Sequence, residues 1–330
     1  MATGLPTDMK YQDPFFYSGY SDVIQQAVEK FNGGSNGTIT LTTNRKPGDY
    51  DYESFFANAG GLVSRQDQTS ISAATAIKMT QAELIDVKIN RKIGPVEWTR
   101  SSFKKAGLSE DAIRVAAGEQ AAKDVLADML NNTIRAGRAA LDNNAGSTYT
   151  VDSNGTMDTA SLVSGLALMG DQSSRVSAWV MHSKAFFDLV QYQIDPTNNG
   201  DITANTGVVS GMPGSLNRPI IVTDSDALVV TTGTGTAAVT DYYTLGLTPN
   251  GLMVEDTEEE FVTLDLVTGL EQLVIRMQGE FAYNLGVKGF QWDVSNGGKN
   301  PTDAAVGTGS NWDKAYNDDK SLAGIVIQSR

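Results

Sequence analysis

One uninterrupted helical stretch constrains the fold of this 330-residue chain more than any other feature. From Ser109 to Asn143 the sequence has no proline and is rich in alanine, and its apolar residues recur at the spacing of an amphipathic helix. Ser109 is a favourable N-cap, and Glu110 and Asp111 place negative charge where the helix dipole favours it. Such a helix would be about 50 Å long, whereas helices in globular domains average about 11 residues. We therefore expect a strut that crosses the whole molecule.

The segments around this helix predict an α+β fold. Alternation of apolar and polar residues predicts strands at 38–43 and 82–90, and long antiparallel strands within 261–294. These strands need an apolar partner, and so does the wide apolar stripe of the helix. We therefore expect helix 110–142 to pack on the sheet formed by 261–294, with a strand over 82–93 as a further candidate member of that sheet. Residues 45–80 have a weak pattern and are interpreted as a long hairpin-like excursion with little core of its own.

A second body is predicted after the helix, because short helices and strands alternate there. Asp158 is a candidate N-cap for the first of these helices, and His182 or Ser183 for the second. The strands of this body are expected at 176–181, 219–223, 227–232 and 241–247.

Composition excludes several classes of site. The chain has no cysteine, which rules out disulfides, zinc thiolates and cysteine nucleophiles, and it has one histidine, which rules out a multi-histidine metal site within one chain. We expect no cofactor and no bound metal. The N-terminus has neither the basic nor the apolar region of a signal peptide, and no apolar run approaches the ~20 residues of a membrane span. These features favour a soluble protein made in the cytoplasm.

The charge of the chain is unevenly distributed. Residues 1–140 hold 16 Lys and Arg against 16 Asp and Glu, and the other 190 residues hold 9 against 23, so the whole formal net charge of −14 lies in the second part. An acidic surface repels nucleic acid, so we expect no sequence-specific DNA binding. The window from Lys88 to Lys105 differs, because it contains six basic residues and one acid, Glu97.

Two short motifs suggest an enzyme, but neither has the context that its chemistry needs. Gly33–Gly37 matches the G-x-S-x-G nucleophile elbow, with Ser35 as nucleophile and His182 as its candidate base. The elbow requires a strand before the serine and a helix after it, and here the order is reversed. We interpret Ser35 as part of a helix end and turn, and His182 as a structural or capping residue. Gly233–Ala238 resembles a dinucleotide fingerprint, but it is followed by a strand instead of a helix, which favours a surface hairpin loop.

A third motif resembles a calcium loop. Asp195–Asp201 has the acidic and amide spacing with which an EF-hand loop begins, but its twelfth position is Thr206 instead of the glutamate that calcium needs. A turn is the favoured interpretation, with a weak surface ion site left open. No candidate catalytic, cofactor or metal residue remains, and we expect the protein not to be an enzyme.

At this point the chain resembles the major capsid proteins of tailed bacteriophages, which have the Hong Kong-97 capsid fold. The resemblance lies in the element order and in local sequences that are similar to coat proteins of that group. These are IGPVEWTRSSFKKAGLSEDAIRVAAGEQAAKDVLADML, VSAWVMHSKAFFDLVQYQI, NRPIIVTDS and GVKGFQWDV. The resemblance implies an N-terminal arm, an extended loop known as the E-loop, a peripheral domain that contains the spine helix, and an axial domain. In this chain the arm would be residues 1–44 and the E-loop residues 45–90. The peripheral domain would be residues 91–150 and 256–330, with the spine helix at 109–143. The axial domain would be residues 151–255.

The resemblance also implies a function and partners. The chain would assemble with copies of itself, as pentamers and hexamers, into the icosahedral head shell of a virion that encloses double-stranded DNA. A portal and a decoration protein would be further partners. No scaffolding-like extension precedes the arm, so the resemblance implies either a separate scaffolding protein or none. Some relatives form isopeptide crosslinks, and Lys78 and Lys88 lie in or near the loop, but no motif identifies a reacting pair. We also hypothesise that the basic window of Lys88–Lys105 meets Glu255–Glu260 of an adjacent subunit.

Two alternatives stay open at this stage. An encapsulin-like nanocompartment shell would share the fold, but it would enclose a cargo protein. A serine hydrolase that uses Ser35 and His182 belongs to a different class, and a Ser35→Ala substitution would abolish its activity.

Overall fold

The structure is a computed structural model that describes most of the chain. The described residues are 32–44, 46–56, 81–99, 110–151, 155–194, 218–235, 238–257, 261–269 and 271–330, with scattered positions such as Tyr20 and Val63. The arm residues 1–19, most of the loop tip, and the candidate calcium loop at Asp195–Asp201 therefore lie outside the described residues.

The elements are numbered in chain order. The helices are α1 Glu110–Asp142, α2 Thr159–Met169, α3 Ser183–Ile194, α4 Val294–Gly297 and α5 Asp303–Val306. The strands are β1 Ile39–Thr43, β2 Tyr50–Phe56, β3 Gln81–Thr99, β4 Thr148–Thr150, β5 Ala178–His182, β6 Ile220–Thr223, β7 Val229–Thr232, β8 Val239–Leu247, β9 Leu252–Asp256, β10 Phe261–Val267, β11 Val274–Val287, β12 Phe290–Trp292, β13 Trp312–Lys314 and β14 Gly324–Ser329.

The expected long helix is confirmed as α1, which has 33 residues. Its predicted apolar stripe is the buried one, with Ala121, Val125 and Met129 in the main hydrophobic core. Near its C-terminal end Gly137 lets the helix approach β9 closely, since a Cβ there would lie 2.6 Å from Leu252 Cδ2. The spine helix therefore packs closely on β9 near its C-terminal end.

The first sheet has the strand order β1-β9-β11-β3-β2, with β10 paired to β11. All of its pairings are antiparallel except the one between β1 and β9, which is parallel. Val87 and Ile89 of β3 and Tyr283 and Leu285 of β11 share one core with the spine helix. The predicted packing of the helix on the strands within 261–294 is confirmed, as is the addition of the strand that begins near residue 82. That strand is longer than expected, since it continues to Thr99.

The second sheet has the strand order β4-β14-β8-β5-β6, with β7 paired to β8. Helices α2 and α3 pack on it, and Asp158 and His182 supply the expected caps: Asp158 Oδ1 accepts from Ser161 N at 2.6 Å, and His182 Nδ1 from Lys184 N at 3.1 Å. Two strands depart from the expected segments. The C-terminal strand β14 is expected with 256–330 in the peripheral domain, but it lies inside this second sheet.

The other departure is β9, which ends the segment 151–255 but belongs to the first sheet, together with β1 from the segment 1–44. Both departures have the same physical reason: alternation shows which face of a strand is buried, but not which distant strand it pairs with. The residues after β11 pack beside the spine, where the fully buried Trp292 and Trp312 stack edge-to-face at 5.0 Å. Among the described residues, no helix combines the length and the apolar character of a membrane span.

Candidate functional site

The most exposed part of the first sheet is the hairpin formed by β2 and β3. The two strands pair without interruption from Tyr50–Val87 to Phe56–Gln81, which confirms the hairpin-like excursion. Two of its aromatic side chains face solvent: Tyr52 is 58% exposed and Phe56 is 72% exposed. Two other aromatic side chains of β2 are packed within the chain: Phe55 lies edge-to-face against Tyr316 at 5.1 Å, and Tyr50 packs against the main core. Exposed aromatic side chains on a projecting hairpin are typical of a surface that another molecule covers.

The base of the hairpin is held by Lys46. Its ammonium group forms an ion pair with Asp51 of β2 and a second one, at 2.7 Å, with Glu255 of β9. The Lys46 carbonyl accepts a hydrogen bond at 3.0 Å from the Nζ of Lys88, which is buried. Burial lowers the pKa of Lys46, but the two carboxylates outweigh this and raise it overall. Lys46 therefore stays charged and connects the hairpin to the body of the sheet.

The spine helix is joined to the sheet by a buried polar group. The Tyr283 hydroxyl on β11 donates to Asp128 Oδ2 and accepts from Asn132 Nδ2, both at 2.9 Å. Arg91 of β3 donates to the same Asp128 oxygen at 3.1 Å and also pairs with Asp303. Burial first, and the charge of Asp128 second, raise the pKa of Tyr283, so its hydroxyl is a neutral donor. This network fixes the helix, the sheet and the C-terminal segment relative to one another.

A second polar group joins the spine to the other sheet. The Arg138 guanidinium lies 5.3 Å from the ring centroid of Tyr243 on β8, and its Nη2 donates to the Gly307 carbonyl at 3.0 Å. Burial raises the pKa of Tyr243 to about 12, and the neighbouring Asp142 carboxyl adds to the increase. Both sheets are thus attached to one helix, and the geometry is that of a rigid frame from which a hairpin projects.

This architecture is matched by known proteins. The model of the Gp13-like family, described as major capsid protein 13-like, matches residues 8–326. The chain belongs to this family. It is a structural protein of the head shell of a tailed bacteriophage, and its fold is the Hong Kong-97 capsid fold.

Solved phage capsids share the fold of this capsid protein at low sequence identity. The capsid of cyanophage Pam1 is 10% identical over 76% of this chain and 84% of its own, with a TM-score of 0.51. The capsid of Ralstonia phage GP4 is 12% identical over 90% and 88%, also with a TM-score of 0.51. The acid-stable capsid of Helicobacter pylori bacteriophage KHP30 is 10% identical over 89% and 88%, again with a TM-score of 0.51. A comparison with curated protein sequences found no match.

The candidate hydrolase residues of the capsid protein are not brought together. Ser35 is buried in the turn before β1, and its hydroxyl lies within hydrogen-bond distance of the carbonyls of Asn32 and Ile39. His182 ends β5 in the other sheet, where it caps α3 and its ring lies 5.1 Å from that of Tyr242. Both residues have the structural roles that the sequence context favoured.

The other two motifs provide no site in the described residues, since Gly233–Ala238 is a connection between strands and Asp195–Asp201 lies outside the described residues. Gly233–Ala238 connects the antiparallel strands β7 and β8, as expected for a hairpin loop. Within the described ranges, no group of three or more His, Asp or Glu residues is placed to hold a metal ion.

The proposed match between the basic window and an acidic run on an adjacent subunit is wrong for Lys88, Arg91 and Glu255. Lys88 is buried, Arg91 pairs with Asp128 and Asp303, and Glu255 pairs with Lys46, all within one chain. The number of charged residues can be read from the sequence, but the sequence does not show which of these charges form ion pairs within the folded subunit. Lys92 and Lys105 are exposed, whereas Arg100, Lys104 and residues 258–260 lie outside the described part of the chain.

One residue of the hairpin base, Asp86, was not predicted from the sequence. Asp86 of β3 faces Asp51 across the strand pair, and burial first and then the charges of Asp51 and Glu255 raise the pKa of its carboxyl to about 7. The signal was present in the alternation of AELIDVKIN, because Val87 and Ile89 face the spine and therefore place Asp86 and Lys88 together on the opposite face.

Proposed function

We propose that this capsid protein assembles as pentamers and hexamers that close into an icosahedral shell around double-stranded DNA. The observation that carries the proposal is the β2–β3 hairpin, which exposes Tyr52 and Phe56 although a rigid frame holds its base. A large interface between copies gains most of its stability from burying such apolar surface. The hairpin is therefore the element that reaches a neighbouring subunit.

The parts of the subunit have distinct roles in this proposal. Residues 1–44 form the arm, although β1 also completes the first sheet, and residues 45–90 form the extended loop. The spine helix and the first sheet form the peripheral domain. The second sheet forms the axial domain with α2 and α3, and β14 is part of it because β14 pairs with β8. The axial domain would contact its copies around the symmetry axes.

Further partners follow from the requirements of such a shell. Double-stranded DNA must enter through an opening, which we assign to a portal at one vertex. A single chain that forms rings of both five and six subunits needs its curvature controlled, which we assign to a separate scaffolding protein. A decoration protein would bind the outer surface after closure. The net charge of −14 supports enclosure of DNA without sequence-specific binding, since the wall would repel the phosphates. The subunit would be made in the host cytoplasm and would act without catalysis.

Electron microscopy of the purified protein tests this proposal. We expect negatively stained wild-type protein to show closed shells of uniform diameter. A Tyr52→Ser/Phe56→Ser variant should lose closed shells and remain as smaller particles, because it loses apolar contact but keeps the hairpin base. A Leu266→Ser variant is the matched control, since Leu266 is also exposed but lies on β10, outside the hairpin and the axial domain, and it should still assemble.

Other results would contradict the proposal. Tubes or open sheets from the wild type would exclude an icosahedral shell. Closed shells from the hairpin variant would exclude the hairpin as an assembly element. Uniform shells that co-purify with a cargo protein and never package DNA would identify the encapsulin-like alternative instead.

A further inference from the structure

The base of the β2–β3 hairpin contains an unusual row of charges on the sheet face opposite the spine helix. Three carboxylates come from three different strands: Asp51 from β2, Asp86 from β3 and Glu255 from β9. The ammonium group of Lys46 pairs with the first and the last of these, and Asp86 is left between them without an ion-pair partner of its own in the described structure. Lys88, on the same face of β3 as Asp86, is directed to the Lys46 carbonyl instead.

The carboxyl group of Asp86 is confined by its neighbours. It lies over Gly286 of β11, where an added Cβ would be 2.7 Å from both of its oxygens. The glycine thus provides the space that the carboxyl occupies. The charged groups around it are Asp51 and Glu53 from β2, Glu255 from β9, Lys46 from the preceding loop and Lys88 from β3, so acids outnumber bases three to two. An additional negative charge at this place is therefore unfavourable.

We propose that the base of the β2–β3 hairpin is a pH-sensitive latch, in which a proton on Asp86 keeps the hairpin closed on the sheet and loss of that proton loosens it. The latch goes beyond the shell function proposed above. It is a property of the single subunit and holds whichever molecule the hairpin tip contacts.

The direction of the pH dependence follows from the pKa of Asp86. In the closed hairpin this pKa is raised from its ordinary value of 3.8 to about 7, with burial as the main cause. Between these two values the open form is ionised while the closed form is still protonated, so closing requires uptake of one proton. The closed form is therefore destabilised progressively as the pH rises from about 4 to about 7, and the loss is complete above pH 7.

Hydrogen exchange measured by mass spectrometry on the free subunit tests the latch. We expect the protection factors of the amides in Tyr50–Phe56 and Gln81–Val87 to fall by up to about tenfold per pH unit between pH 5 and pH 7, after correction for intrinsic exchange rates, and to level off above pH 7. An Asp86→Asn variant should show high protection with no pH dependence. An Asp265→Asn variant, which removes an exposed acid of β10 in the same sheet, should behave as wild type.

A second variant keeps the latch testable if Asp86→Asn does not fold. Replacing Asp51 by asparagine removes a negative charge that faces Asp86, so the midpoint of the pH dependence should move to lower pH. A wild-type hairpin whose protection does not change with pH would overturn the proposal, and so would an unchanged pH dependence in Asp86→Asn. Because these measurements use single subunits, failure of the latch is distinguishable from failure of shell assembly.

Discussion

The hydroxyl group of Tyr283 is expected to contribute measurably to holding the spine helix on the sheet, and a Tyr283→Phe substitution removes it alone. Tyr283 is fully buried on β11, and phenylalanine keeps its ring in place. The hydroxyl lies 2.9 Å from Asp128 Oδ2 and 2.9 Å from Asn132 Nδ2, so the substitution breaks one hydrogen bond to a carboxylate and one from an amide.

The size of the expected stability loss depends on whether Asp128 and Asn132 keep other hydrogen-bond partners. A hydrogen bond to a charged group contributes about 1.5–3 kcal/mol to stability. Asp128 keeps its hydrogen bond from Arg91 at 3.1 Å, and Asn132 keeps its hydrogen bond to Asp128 at 3.2 Å. Neither side chain is therefore left buried without a hydrogen-bond partner. We therefore expect the free energy of unfolding to fall by about 2 kcal/mol, near the middle of that range.

Urea denaturation of free subunits, at concentrations where light scattering shows monomers, measures this loss. The denaturation midpoint should fall while the slope stays constant. A Tyr52→Phe variant is the matched control, because its hydroxyl belongs to an exposed side chain and its removal should change stability by less than about 0.5 kcal/mol. A double-mutant cycle with Asp128→Asn should give a coupling energy above about 0.5 kcal/mol. Additive losses would show that the bond does not connect helix and sheet.

Three further predictions test other parts of the frame. Val125→Pro in the buried stripe of the spine should cost about 3 kcal/mol or more and abolish shells in negative stain, whereas Val125→Ala should still form them. Gly246→Ala should lower the unfolding free energy by about 1–3 kcal/mol in urea denaturation, because the new Cβ would lie 2.6 Å from the ring of the fully buried Trp179; an unchanged midpoint would refute this overlap. Ser35→Ala should leave shells intact in electron microscopy, and an esterase activity that this substitution removes would contradict the structural role of Ser35.

The parts of the fold that sequence predicted are those specified by local pattern. The spine was expected from Ser109 to Asn143 and extends from Glu110 to Asp142, because caps and a 3.6-residue period both lie within the segment itself. The hairpin was predicted for a similar reason, since its two strands are close in sequence and flank an unpatterned loop. Boundaries were less accurate where a strand continues past a turn-like sequence, as β3 does through Gly94 and Pro95.

Pairings between distant segments could not be predicted. β1 pairs in parallel with β9, from Ile39–Leu252 to Thr43–Asp256, across more than two hundred residues. β14 is apolar on both faces, which is typical of a central strand, but that pattern fits either sheet equally well. The choice depends on which sheet offers a complementary edge once the spine is in place, and that information is not local.

The charges at the hairpin base show why candidate contact surfaces are harder to predict than folds. A lysine and a glutamate that look available in sequence, Lys46 and Glu255, are used within one subunit. The polar contacts that connect the frame are therefore intramolecular, and exposed ion pairs between subunits would each contribute only about 0.2–1 kcal/mol. In the proposed shell, apolar burial by the hairpin would therefore supply most of the affinity between copies. In the proposed shell, the charged row beneath the hairpin would act on assembly indirectly, because it would determine how firmly the hairpin is held when it meets a neighbouring subunit.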